Sequence, residues 1–139
     1  MHFKSRLILV FALLSAAIAD AEVTLDGSVG APSVNPGDPV AAGNGYTYDI
    51  TADLGEQAGQ NLFHSFDLFN IDSGEHANFS GPTSIINIVS RVTGGSSSIG
   101  GSITSSISGA SLWLVNPAGF LFTDGAVVDV DGTCLLYTS

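Results

Sequence analysis

His64, Ser65 and Asp67 are the three residue types of a hydrolytic triad, gathered into one short stretch. A triad needs its histidine between nucleophile and carboxylate, all converging on one point. Neighbouring side chains on an extended strand leave from opposite faces, so His64 and Ser65 diverge and a structural role is expected for them. His64, Asp72, Glu75 and His76 are metal-ligand types, but their spacing matches no zinc pattern, and a surface turn around Gly74 accounts for Asp72 and Glu75. Asp124, Asp129 and Asp131 lie near Gly125 and Gly132, which invites a calcium reading. The nonapeptide rhythm of calcium-binding β-rolls is missing, however, and Asp-Gly is ordinary corner chemistry. Gly94-Gly95 and Gly100-Gly101 lack the lysine and the strand-to-helix setting of a phosphate loop. The expectation is a chain with no catalytic residues, no cofactor and no metal.

Two further groups carry chemistry of a weaker kind. Arg91 is the one base beyond the N-terminal stretch, and it is expected either to form a local ion pair, worth at most about 1 kcal/mol if exposed, or to contact a partner. Trp113, Phe120 and Phe122 are expected in the core, with an exposed aromatic row for glycan stacking as the alternative.

Charge narrows the partners. The 139 residues hold three Lys and Arg against thirteen Asp and Glu, and two of the bases, Lys4 and Arg6, precede an apolar run from Leu7 to Leu14. A basic start, a short apolar centre and the small-residue exit Ala19-Asp20-Ala21 make residues 1–21 a secretory signal peptide, with cleavage after Ala21 or, second, Ala19. The run is too short to span a bilayer, which takes roughly 20 residues, so no stable membrane insertion is expected. From Glu22 to the end the chain carries twelve acids and Arg91, a net charge of −11, which repels phosphate backbones and anionic lipid; no nucleic-acid partner is expected. Cys134 is the sole cysteine, so no internal disulfide holds this exported domain, and its core and hydrogen bonds must suffice.

The elements that position these residues are short. From Glu22 onward Gly, Ser, Thr, Asn and Asp punctuate runs of Val, Ile, Leu and Phe, without sustained helical periodicity, and this predicts an all-β fold. Strands are expected at Glu22–Leu25, Tyr46–Thr51, Ser84–Val92, Ser102–Ser108, Ser111–Val115, Phe120–Phe122 and Ala126–Val130. Gly30–Gly45 is expected as a loop or cap and Leu54–Gln60 as a turn-rich link. Phe63, Phe66 and Phe69 recur every third residue, which predicts a bend or bulge within a strand over Asn61–Ile71. Alternation puts Ile86, Ile88, Ser90 and Val92 on one face, and Ile85, Asn87, Val89 and Arg91 on the other. Such strands build either a sandwich of hairpins or the walls of a β-solenoid. Hydroxyl-rich outward faces and the near absence of Lys, a residue used to blunt free sheet edges, lean toward the solenoid.

One series of residues adds to this. Asn61-Leu62-Phe63-His64-Ser65-Phe66 with Phe69-Asn70 resembles a signature of the two-partner secretion (TpsA-type) N-terminal domain, also called the haemagglutination activity domain, of filamentous haemagglutinin-like adhesins and haemolysins. The likeness continues through Ala77, Phe79, Ile86-Asn87-Ile88, Arg91-Val92-Thr93-Gly94-Gly95, Ser98-Ile99, Gly101, Ile107, Gly109-Ala110, Leu112 and Leu114. It then takes in the corner Asn116-Pro117-Ala118-Gly119, Phe120, Phe122, Gly125-Ala126 and Asp129-Val130. The corner alone is a common turn sequence, and it is the order and spacing of the whole series that is specific.

The resemblance implies a right-handed parallel β-helix with N-terminal capping strands, spanning residues 22–132 and cut short. It implies an export address, recognised by the POTRA domains of a cognate outer-membrane translocator barrel, which passes through the periplasm and seeds folding of a β-helical body outside. Recognition and fold would then rest on Asn61, Leu62, Phe63, His64, Phe66, Arg91, Gly94, Gly95, Asn116, Pro117 and Gly119. Ala118 departs from the usual Asn-Pro-Asn-Gly, and residues 133–139 do not resemble the family's next rungs and are set apart as an atypical, appended tail. The host or cell-surface target of a downstream body, for adhesion or haemolysis, is not written in this front end. The alternatives are a secreted β-helix carbohydrate-active enzyme, which ordinarily carries clustered carboxylates and bases that one base cannot supply, and a carbohydrate-binding module.

Overall fold

The computed structural model describes residues 22–31, 35–40 and 47–138, and within them the chain is all-β, with parallel strands stacked as a solenoid of about four turns. The expected signal peptide and its exit residues Ala19 and Ala21 lie outside the described residues, as does half of the proline-rich segment. Three walls recur in order along the chain. The first wall is β4 (Asn61–Phe69), β6 (Asn87–Val92), β9 (Ser111–Val115) and β12 (Cys134–Tyr137). The second is β2 (Thr47–Ile50), β5 (His76–Phe79), β8 (Ser102–Ser105) and β11 (Val127–Asp129). The third is the bridge residue Ile71, β7 (Ser97–Ile99) and β10 (Phe120–Phe122).

Register turns the apolar alternation of each strand into a continuous column. On the first wall Leu62, Ile88, Leu112 and Cys134 are partners in successive turns, and beside them run His64, Ser90, Leu114 and Leu136. On the second wall Tyr48, Ala77, Ile103 and Val128 line up, next to Ile50 and Phe79. Leu62, Ile88, Ile103 and Leu112 are fully buried, as are Phe66, Phe69 and Phe79. Complete burial of such a side chain contributes about 1.5–3 kcal/mol. Outward positions need only water or their neighbours on the wall, as where Thr104 Oγ1 donates to Asn78 Oδ1 at 2.9 Å.

The three-residue spacing of phenylalanines has a local cause. In the antiparallel pairing of β4 with β1 (Val23–Leu25), Thr24 faces Leu68 and Leu25 faces Phe66, so Asp67 is one residue too many. This bulge reverses the side-chain parity of β4. Leu62, His64 and Phe66 point inward before it, and Phe69 and Ile71 after it. The Phe66 and Phe69 rings consequently meet at 5.0 Å.

Several details refine the sequence expectation. Leu54–Gln60 is not only a link: a short 3-10 turn, Ala52–Leu54, leads into β3 (Glu56–Ala58), which pairs antiparallel with β4. Ile85 is buried and Ile86 exposed, the reverse of the expected faces, because parity breaks at the corner where Ile85 N–H bonds back to the Pro82 carbonyl. Trp113 is not core; its register partner is Val89 on the outward face. Phe120 and Phe122 do face inward, as register partners of buried Ser97 and Ile99, but on the end strand of their wall they stay partly exposed. Cys134–Tyr137, in the tail set apart by its sequence, pairs in register with β9. Main-chain ladder bonds do not read side chains, and its inward positions, Cys134 and Leu136, are apolar.

Candidate functional site

The signature residues occupy a single region, the first wall and the corners at its ends. Leu62 and Phe66 are core, and Phe63 is half-buried and turned outward. Asn61 Oδ1 accepts from Asn87 Nδ2 at 3.0 Å, forming an amide rung on the outer surface. β1 and β3 both run antiparallel along the edge of β4 opposite β6, covering the start of the stack.

His64 is 2% exposed and faces the core, its ring stacked on Phe66 at 6.0 Å and edge-on to Phe79 at 5.6 Å. Its Nε2 lies 3.1 Å from the Thr51 carbonyl oxygen, an acceptor only, so Nε2 carries the proton in the neutral ring. Nδ1 has no hydrogen-bond partner, and neither has the buried Ser90 Oγ, the residue paired with His64 in the next turn. Burial lowers the pKa of the ring below its ordinary 6.5, against smaller opposing effects of the Thr51 carbonyl and Asp53. Ser65 leaves the strand on the other side, so the triad types are not brought together.

Ser65 belongs instead to a clamp centred on Asp26, at the end of β1. The Asp26 carboxylate accepts from Ser65 Oγ at 2.6 Å, from Ser28 Oγ at 2.6 Å and N at 2.9 Å, and from Thr93 Oγ1 at 2.9 Å. Burial pushes this carboxyl up, but the hydrogen bonds from Ser28, Ser65 and Thr93 outweigh it and hold the pKa at about 2. Arg91 donates to the same hydroxyls, from Nε to Ser65 Oγ at 2.7 Å and from Nη2 to Ser28 Oγ at 2.8 Å. The expected ion pair is thus replaced by a hydroxyl relay between Arg91 and Asp26. Sequence offered no spacing signal for it, since Asp26, Ser65 and Arg91 come from three distant segments.

At the same strand end, one turn further along the stack, sits the Asn116 corner. Gly119 N–H closes the turn on the Asn116 carbonyl at 2.9 Å, with Pro117 at the second turn position and Gly119 at φ +100°, a conformation open to glycine. Asn116 is 1% exposed and fully used: Oδ1 accepts from Ala118 N–H, while Nδ2 donates to the Gly95 carbonyl at 2.8 Å and to Ser97 Oγ at 3.0 Å. Gly94 is pressed against Asp67, where any Cβ would collide with the Asp67 backbone and carboxylate. Of the signature residues, Gly95 and Asn116 are therefore in direct contact and Gly94 braces the β4 bulge, whereas Arg91 acts through Ser65.

Among the described residues no group of three or more His, Cys, Asp or Glu is arranged to hold a metal ion. Glu75 instead accepts from the Asp72 N–H at 2.8 Å. Burial pushes the Cys134 thiol up, away from reactive thiolate character. No described helix is long and apolar enough to cross a membrane.

A parallel β-solenoid with its first turn sealed by antiparallel strands and its corners locked by hydrogen-bonded side chains is a scaffold for recognition and stacking. A family model described as the TPS secretion domain matches residues 21–136, and the chain belongs to that family. It is the secretion-targeting domain of a two-partner secretion exoprotein, whose partner is an outer-membrane translocator. No curated protein and no solved structure matches the chain.

Proposed function

We propose that this domain is the export address read by the POTRA domains of its translocator during passage through the periplasm, and that it then serves as template for a β-helical body of adhesin or haemolysin type. Residues 1–21 act as the cleaved leader that brings the chain to the periplasm, and the domain itself is not an enzyme. The observation that carries this reading is a stack of in-register parallel turns behind a sealed first turn. At the start, β1 and β3 cover the edge of β4. Each turn behind that cap offers the next one backbone groups already in register and inward apolar side chains to cover, so a formed turn is a template for the turn after it.

Asn116 joins one turn to the next and is the place to test the reading. Co-expressed with its translocator, the chain should reach the medium, and deletion of the translocator should retain it in the cell. Asn116→Ala removes donors from Gly95 O and Ser97 Oγ and the acceptor of Ala118 N–H. It should lower stability by about 2–3 kcal/mol, from the cost of stranding buried polar groups. The double variant Asn116→Ala, Pro117→Ala should be synthesised normally and secreted at least tenfold less. Export independent of the translocator would refute the proposal.

A further inference from the structure

The outward face of the first wall differs from the outward faces of the other two. Phe63, Val89, Trp113 and Leu135 are register partners, forming an apolar ladder across all four strands. Trp113 is 42% exposed and Leu135 41%. Trp113 Nε1 donates to Asn87 Oδ1 at 3.4 Å, which ties the indole to the wall. The adjacent ladder is Ser65, Arg91, Val115 and Tyr137. Shallow hollows flank Arg91, one reaching Phe63 and Val89, the other Val115 and Pro117.

Charge separates this wall from the second. Its four strands contain one acid, Asp67, which sits at the bulge, and Glu56 borders it on β3. The second wall presents Asp49, Asn78, Thr104 and Asp129 in one outward ladder. In a domain carrying twelve acids after the leader, Arg91 is the one base, and both of its hydrogen bonds go to hydroxyls, which hold the guanidinium in place without cancelling its charge directly. An acidic partner is repelled by the second wall and finds the domain's one base on this one.

We infer that the Phe63–Val89–Trp113–Leu135 ladder with Arg91 is the face that docks onto the translocator's periplasmic modules, through an apolar strip of theirs flanked by a carboxylate. The inference rests on the proposed translocator reading and adds the wall that is read. Trp113 is the natural anchor, being large, apolar and held in one orientation.

The sole tryptophan supplies the probe. The full chain labelled with 5-fluorotryptophan is mixed with the soluble periplasmic segment of its cognate translocator, and binding is measured in parallel by calorimetry. The fluorine resonance should move or broaden on saturation. Val89→Asp and Trp113→Ser should each weaken binding at least tenfold, with unchanged circular dichroism, while Thr104→Asp on the second wall should change it less than twofold. Calorimetric binding with an unmoved resonance, or equal affinity for Val89→Asp, overturns the wall and leaves the translocator reading intact. A resonance that shifts with chain concentration alone makes the wall a contact between copies and also overturns it. Absence of any binding by the unmodified chain removes the translocator reading itself.

Discussion

A buried histidine with one committed nitrogen makes a definite statement about pH. His64 is shut between Phe66 and Phe79, its Nε2 proton is given to Thr51, and no acceptor meets a second proton on Nδ1. Burial therefore depresses its pKa below 6.5 in the folded chain. As pH falls below 6.5 the unfolded chain takes up a proton that the folded chain refuses, so stability present at neutral pH is lost, by at most about 1.4 kcal/mol per pH unit from this one group. His64→Phe keeps the aromatic packing and cannot titrate. Urea midpoints at pH 7.5 and 5.0 should fall for the natural chain and fall less for the variant; equal drops would mean that His64 is protonated in the fold. The sequence offers triad chemistry at this residue and reads it as structural, and in the fold His64 faces the core while Ser65 turns to Asp26. It could not show that Ser65 finds Asp26, because hydrogen bonds between distant segments leave no trace in local spacing.

Single strands were legible to the degree that their environment was two-sided. Ile88, Ser90 and Val92 alternate against Asn87, Val89 and Arg91 because one face of β6 meets the core and the other meets water. The same logic failed just upstream, where Ile85 and Ile86 straddle a corner, and at Trp113, where an apolar residue stands on the outer face. Period-two reasoning assigns faces only while the strand runs unbroken, and it takes apolar to mean inward. The capping strand β1 was expected, but its fastening was not. Five hydrogen-bonded partners from three segments converge there, with Asp26 at the centre and Arg91 behind the two serines. Because the folded pKa of Asp26 is held at about 2, its contribution is complete above the ordinary value of 3.8 and is lost as pH falls from there toward 2. Asp26→Ala should loosen the cap selectively at neutral pH. Hydrogen exchange at Leu25 and Val40, whose amides bond across the cap, should accelerate severalfold. Amides of β6 should keep their rates, and a uniform acceleration would show that the cap and the stack open together.

The whole molecule is a one-dimensional stack in which each turn is stabilised mainly by the turns beside it. Its N-terminal edge on the first wall is sealed by β1 and β3, whereas β12 ends the sheet on the far side. Opening should therefore begin at β12 and proceed inward, and β9 holds an internal control for that direction. Alternate amides of a parallel strand bond to opposite neighbours. Leu112 N–H bonds to the Thr133 carbonyl and Asn116 N–H to Tyr137, both toward β12, while Ser111 N–H bonds to the Ile86 carbonyl, toward β6. If the stack frays from its open end, Leu112 and Asn116 lose protection when β12 lifts away, and Ser111 keeps it until β9 itself separates from β6. Native-state hydrogen exchange should then show Leu112 exchanging at least tenfold faster than Ser111 after correction for intrinsic rates, although the two residues adjoin. Equal rates would mean that β9 and β12 open as one unit, and turn-by-turn stacking would lose this support.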